Sequence, residues 1–222
     1  AYSVKQTIDG GYIFIGLTNS TNGDVTGYHG GTYDSWVVKL DTAGSIKWEK
    51  CLGGSSGDDA YSVQQTTDSG FIVAGTSYST DGDVTGNHGG GDYWVVKLDT
   101  GGTIKWERSL GGSGGDEAYS VCQTKDGGYV VAGYSYSADG DVTGNHGKDD
   151  LWIVKLDTGG ILKWEKLLGG GGHDGGGLQC IEQTTDGGYI ISSNSDSTSG
   201  DVTGNHGGTD YWVVKLDSAF VG

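Results

Sequence analysis

QTTDSGFIVAGT, residues 65–76, reads as the end of one β-strand, a tight turn and the start of the next. The chain carries three more versions of it: QTIDGGYIFIGLT at 6–18, QTKDGGYVVAGYS at 123–135 and QTTDGGYIISSNS at 183–195. An Asp-Gly or Asp-Ser turn between β-branched and aromatic runs is a hairpin signal. Thr7, Thr66, Thr124 and Thr184 stand in register, spaced by 59, 58 and 60 residues. Self-similarity at a period near 59 marks a propeller or a solenoid.

Around that turn each repeat carries four short strands. In the second repeat they are AYSVQQT (60–66), GFIVAGT (70–76), DYWVVKLD (92–99) and TIKWERSLGG (103–112). A long polar loop separates the second strand from the third, and no segment has helical periodicity over ten or more residues. Four antiparallel strands per unit, repeated four times, is the pattern of a β-propeller. Runs such as YWVV and GYVVAG are apolar on both sides, as strands buried on two faces are. The expectation is therefore an all-β chain: a β-propeller of four repeats of about 59 residues, with four antiparallel strands per blade. The last blade lacks one strand, because DSAFVG (217–222) stands where a strand like IKWEK should begin. The repeats run approximately 1–59, 60–117, 118–177 and 178–222, as a single domain over 1–222. A compact four-bladed ring is favoured over a segment of a larger propeller or a pairing of two four-blade halves. Because the chain starts inside a repeat, without Met or signal peptide, it reads as a processed or cut piece.

Composition narrows the partners. The 222 residues include 46 Gly and no Pro or Met, but seven Trp and thirteen Tyr argue for a folded, turn-rich protein. A net charge of −16 opposes nucleic acid and anionic membrane surfaces as partners. No apolar run reaches membrane-spanning length, so no membrane insertion is expected. The seven Trp occupy two recurring slots, Trp36, Trp94, Trp152 and Trp212 on the third strand and Trp48, Trp106 and Trp164 on the fourth, as inter-blade packing would require. Cys51, Cys122 and Cys180 show no disulfide or zinc spacing and read as buried free thiols. Cys122 and Cys180 lie on the same face of equivalent strands, which in a ring point the same way round, so that the two do not meet.

The units resemble the SBBP-type β-propeller repeats of large secreted and cell-surface bacterial proteins. The resemblance runs through DGGYVVAG, DGDVTGNHGGGDYWVVKLD and IKWERSLGGS and covers essentially the whole chain. It implies an extracellular or cell-surface location and a display or binding role, and says little about activity.

The second-to-third-strand loop is the candidate site. Its copies are NGDVTGYHGGTYDSW from Asn22, DGDVTGNHGGGDYW from Asp81, DGDVTGNHGKDDLW from Asp139 and SGDVTGNHGGTDYW from Ser199. In an up-and-down blade all four loops crowd one rim, and long loops are usually functional. The second copy fits a calcium-loop template: Asp81, Asp83, Thr85, the turn glycine Gly86, the Asn87 carbonyl and Asp92 at position 12. Asp139, Asp141, Thr143, Asn145 and Asp150 repeat it, while Asp201 and Asp210 keep part of it after Ser199. Asp24 and Asp34 keep part of it in the first copy, where an inserted residue breaks the register. Calcium is thus the possible cofactor. The competing account is that these Asp and Thr side chains satisfy the loop's own backbone.

His29, His88, His146 and His206 share one slot, suited either to bonding the blade together or to contacting a ligand or transition metal. His88, His146 and His206, with the aromatics Tyr78, Tyr93 and Tyr136, are the candidate ligand contacts. Four like loops suit a multivalent ligand such as a glycan, or a surface protein. The leading expectation is a non-enzymatic binding or adhesion module, with a spacer or scaffold propeller as its rival. An enzyme needs dissimilar groups brought together, and this chain repeats the same ones. The exception is GGGGHDGGG (169–177), whose His173 and Asp174 keep a polysaccharide-acting hydrolase or lyase as a further alternative.

Overall fold

The computed structural model describes residues 1–177 and 180–218. The described residues form fifteen strands and no α-helix. They make four sheets, each an antiparallel meander in chain order. The first contains β1 (Ser3–Gln6), β2 (Tyr12–Thr18), β3 (Asp34–Leu40) and β4 (Ile46–Leu52). The second contains β5 (Asp58–Gln65), β6 (Phe71–Ser77), β7 (Asp92–Leu98) and β8 (Ile104–Leu110). The third contains β9 (Asp116–Gln123), β10 (Tyr129–Ser135), β11 (Asp150–Leu156) and β12 (Leu162–Leu168). The fourth has three strands, β13 (Cys180–Gln183), β14 (Tyr189–Ser195) and β15 (Asp210–Leu216). Residues 178–179, which open the expected fourth repeat, and 219–222, the end of DSAFVG, lie outside the described residues.

One boundary differs from the sequence reading. Asp58-Asp59 and Asp116-Glu117, which the sequence places in the acidic links between repeats, before the strands AYSVQQT and AYSVCQT, are the first residues of β5 and β9. Asp58 pairs with Ser77 and Asp116 with Ser135 in the strand register, so these acids belong to the sheets.

The chain divides into two compact units, 1–110 and 111–222. In the first, Ile13, Ile15 and Val37 of one sheet pack against Ala60, Val63, Phe71 and Val73 of the next, all essentially solvent-free. Burying each large aliphatic side chain contributes about 1.5–3 kcal/mol. Trp48 closes this interface, its ring edge-on to Phe71 at 5.6 Å and its Nε1 donating to the Thr100 carbonyl at 3.0 Å. In the second unit Val130, Ala132, Leu151 and Ile153 pack with Ile181, Tyr189 and Ile191. Trp164 there stands against Tyr189 at 5.8 Å, in the slot that Trp48 fills against Phe71.

Each hairpin turn is clamped from the third strand. Lys39, Lys97, Lys155 and Lys215 donate Nζ hydrogen bonds to the carbonyls of Leu40, Leu98, Leu156 and Leu216 and pair with Asp9, Asp68, Asp126 and Asp186. The turn Asp also accepts the Thr hydroxyl two residues before it and the Gly N–H two residues after it. Burial opposes ionisation of Asp68. The Thr66 hydroxyl, Lys97 and the Gly70 N–H outweigh it and hold the carboxyl down at about 2. The repeated QT-x-D-[GS]-G is thus one hydrogen-bonded unit with the Lys of WVVKL.

A β-bulge interrupts β5, where Ala60 and then Ser62 face Gly75 and Ala74. A Cβ on Gly75 would lie 1.9 Å from the Asp59 carbonyl oxygen, which explains the glycine at the end of IVAG. The three cysteines are free, but only Cys51 is buried, Cys122 is partly so and Cys180 is exposed, contrary to the expectation of three buried thiols. Cys122 and Cys180 are also within electrostatic reach of each other. Burial, with smaller contributions from Glu182 and Cys180, pushes the Cys122 thiol up to about 11. The two strands that carry them, β9 and β13, run against each other, joined where the Ile181 N–H donates to Ser120 Oγ at 3.2 Å.

Ser69 has φ = 66°, in the left-handed region that Gly10, Gly127 and Gly187 occupy in the other turns. A side chain there costs about 1–2 kcal/mol, partly offset by the greater backbone entropy of an unfolded glycine. Ser69→Gly is expected to stabilise the protein by a few tenths to about 1 kcal/mol, read as a higher urea midpoint at unchanged slope. A loss of stability would show that the Ser69 side chain makes a favourable contact that outweighs the strain.

Candidate functional site

The geometry repeated at these loops is built around three buried carboxylates. Asp58, fully buried, accepts the Gly54 N–H at 2.7 Å, the Ser79 hydroxyl at 2.8 Å and the Ser77 hydroxyl. Asp116 does the same with Gly112 N–H at 2.9 Å, Ser137 at 2.8 Å and Ser135. Asp174 repeats it with Gly170 N–H at 2.7 Å, Ser197 at 2.5 Å and Ser195. Each hub ties the glycine link entering a sheet to the end of that sheet's second strand. Burial pushes the Asp58 and Asp116 carboxyls above the usual range, against the pull of these donors. The Ser-x-Ser pairs 77/79, 135/137 and 195/197 went unread in the sequence, although their recurrence at one place in the repeat was the available signal.

The polar loop is laid over the same link. Asp83 donates its N–H to the Gly53 carbonyl at 2.9 Å and accepts the Gly53 N–H on Oδ2 at 3.3 Å. Asp141 with Gly111 and Asp201 with Gly169 keep both contacts. Asp81 Oδ1 accepts the Ser55 N–H at 2.7 Å, which holds its carboxyl below the usual range, and Asp139 accepts Ser113 N–H at 2.7 Å. Ser199 takes that position in the last copy and accepts Gly171 N–H at 3.4 Å.

The remaining template positions turn elsewhere. The Thr85 and Thr143 hydroxyls donate to Glu107 and Glu165 of the fourth strands, as Thr26 does to Glu49. Asn87 donates to the Ser77 carbonyl at 2.9 Å and accepts the Gly89 N–H at 2.9 Å, and Asn205 makes the same pair with Ser195 and Gly207. Asn145 accepts the Gly147 N–H but donates to the Ser137 carbonyl at 3.1 Å, two residues beyond the strand end. Asp34, Asp92, Asp150 and Asp210 each accept, on Oδ2, both the backbone N–H and the Nδ1 of His29, His88, His146 and His206. Burial pushes Asp34 and Asp150 above the usual range, while the more exposed Asp210 is held below it, chiefly by the His206 N–H. Asp24 is exposed.

The side chains proposed as one calcium shell therefore diverge. Of the four side chains, Asp81 and Asp83 hold the incoming link, Thr85 a fourth-strand glutamate and Asp92 a histidine. Among the described residues no group of three or more His, Cys, Asp or Glu gathers as a metal site. The buried Oδ1 atoms of Asp34 and Asp150 have no hydrogen-bond partner, but each is a single oxygen rather than a shell. The arrangement as folded does not fit a calcium loop without breaking these bonds.

Of the candidate aromatics, Tyr78 is 44% and Tyr136 47% exposed, whereas Tyr93 is completely buried and has no face to offer a sugar. His173 is better supported than its glycine run suggests. Its Nδ1 meets Asp149, a residue only 1% exposed, its Nε2 lies 3.1 Å from Lys148 Nζ and its N–H donates to Asp196 at 2.7 Å. Glycines stand at the corresponding places in the second repeat, Gly90 and Gly91 for Lys148 and Asp149, and Gly57 for His173. Three departures from the repeat thus meet at one point. The signal for Lys148 was its break from the Gly-Gly of the other loops, and Asp149 stands where the second and fourth copies carry Gly91 and Thr209.

No family model matches the chain, and no curated protein does.

Because Asp58 receives three donors in a solvent-free site, Asp58→Asn places an amide against groups that also donate. A loss of about 2–3 kcal/mol is expected, and a smaller one for Asp81→Ala on the exposed loop. Urea unfolding of the two variants checks the order, and the reverse order would shift the main tie to the outer loop.

Proposed function

We propose that this chain is a non-catalytic β-propeller module of a secreted or surface-displayed protein. It acts as a rigid display scaffold whose loops serve first to lock the blades. The observation that carries this reading is the engagement of the same loop side chains with the protein's own backbone in successive repeats. A loop selected for ion or sugar binding would leave oxygens converging on one point. The four sheets of four, four, four and three strands and the resemblance to SBBP-type repeats support the propeller. Recognition of a glycan or a surface protein then falls to positions that vary between repeats at one slot: Asn19, Tyr78, Tyr136 and Asp196. Exposed aromatic faces at Tyr78 and Tyr136 suit sugar stacking. Calcium has no required place in this reading.

A second reading, a polysaccharide-acting enzyme, is favoured by one observation: the buried Asp149 behind His173, with Lys148 at its other nitrogen. A carboxylate so placed orients an imidazole as a general base.

The first test is thermal unfolding in millimolar calcium and in excess EDTA. Coincident curves are expected. A midpoint raised by calcium but not magnesium would return ions to the loops, since binding at a hundred times Kd stabilises by about 2.7 kcal/mol. A glycan panel run in parallel should lose any signal with Tyr78→Ala and Tyr136→Ala. Turnover of a polysaccharide that His173→Ala abolishes in a folded protein would overturn the non-catalytic assignment.

A further inference from the structure

Two strands of this chain have the same seven residues, DYWVVKL, in β7 and in β15. Their surroundings differ. Tyr93 and Val95 of β7 are completely buried, while Tyr211 and Val213 of β15 are 95% and 64% exposed. In the first three sheets the third strand is covered on its outer edge by a fourth, and these fourth strands share one sequence: IKWEKCL in β4, IKWERSL in β8 and LKWEKLL in β12. Among the described residues no strand pairs with the outer edge of β15.

The glutamate of the shared sequence has a fixed task. Glu49, Glu107 and Glu165 accept the indole N–H of Trp36, Trp94 and Trp152 at 2.8, 3.0 and 2.9 Å. The same carboxylates accept the loop threonine hydroxyls of Thr26, Thr85 and Thr143. The fourth sheet has the matching indole in Trp212 and the matching hydroxyl in Thr203, and among the described residues no carboxylate joins them. Both line a cleft of about 80 Å³ together with Asn205, His206 and Asp210. The donors for one carboxylate, and a free strand edge beside them, are thus in place together.

We infer that the open edge of β15 is a strand-acceptor site. Its occupant is a polypeptide segment of the pattern Ile/Leu-Lys-Trp-Glu-Lys/Arg-x-Leu, brought from outside the described residues and added antiparallel. The register follows from β7 and β8, where Val95 faces Arg108, Val96 faces Glu107 and Lys97 faces Trp106. Val213, Val214 and Lys215 therefore face the basic residue, the glutamate and the tryptophan of the incoming strand. Main-chain hydrogen bonds supply the affinity of such an added strand, and side-chain pockets supply its specificity. Specificity here is the glutamate bridging Trp212 Nε1 and Thr203 Oγ1. A second copy of this chain is a poor donor, because β4, β8 and β12 are already paired within their own sheets. The site is independent of whether the rim binds glycans.

The test uses the chain with a fluorescein-labelled peptide of residues 161–170, ILKWEKLLGG, followed by anisotropy. Saturable binding is expected, weakened about tenfold when the peptide glutamate becomes glutamine and a charge-assisted bridge is lost. Thr203→Val and Trp212→Phe should weaken it similarly, and Thr85→Val, in the second sheet, should leave it unchanged. Circular dichroism of each variant establishes that it is folded. In a second measurement the peptide is joined after residue 222 by a flexible Gly-Ser linker, which raises its local concentration. Slower amide exchange in β15 is expected. Equal binding of a scrambled peptide would overturn the proposal, as would no binding at millimolar peptide with unchanged exchange in the fusion. A dimer in sedimentation that excess peptide cannot dissociate would assign the edge to a second copy instead.

Discussion

A buried aspartate that must be surrounded by donors organises the most repetitive part of this protein. A carboxylate without solvent is costly unless hydrogen bonds replace the water it has lost. Asp58, Asp116 and Asp174 meet that demand with two serine hydroxyls and one glycine N–H each. The donors come from two segments far apart in the chain, a glycine link and the end of a second strand. Satisfying the charge therefore brings the link to one place. The glycines are there because the link passes so close: a Cβ on Gly53 would lie 2.5 Å from Asp58 Oδ2.

Once the link is held, the outer loop has a surface of N–H groups to cover. Asp81, Asp83, Asp139, Asp141 and Asp201 turn toward it, and the histidines close the loop back onto the aspartate that starts the third strand. The same alternation of acidic residues that suits an ion suits a strip of backbone donors. In each case oxygens are presented at alternate positions, and only the direction in which they point separates the two. That direction comes from the link, a separate segment with no trace in the loop's own sequence.

The repeat, its turns and its four-strand grammar were legible in the residues because they are local. QT-x-D-[GS]-G joins a hairpin turn to its own hydrogen bonds within a few residues, and the strands around it alternate or run apolar as buried strands do. The serine pairs of the hubs were not legible, since two serines at a strand end look like any polar flank until the aspartate they face is known. His173 lay in a slack glycine run, and its partners Asp149 and Lys148 lie more than twenty residues away. Only the fold shows that these three irregular positions coincide.

DYWVVKL states the division most directly. By itself the sequence determined that both copies form strands of the same hand, register and turn chemistry, with a Lys reaching back to its hairpin aspartate. These interactions join near neighbours within one sheet. Whether Tyr93 is buried or Tyr211 exposed was decided by the tertiary structure alone. Burial belongs to the surfaces that come to lie against a strand, and two identical segments can carry no information about that difference.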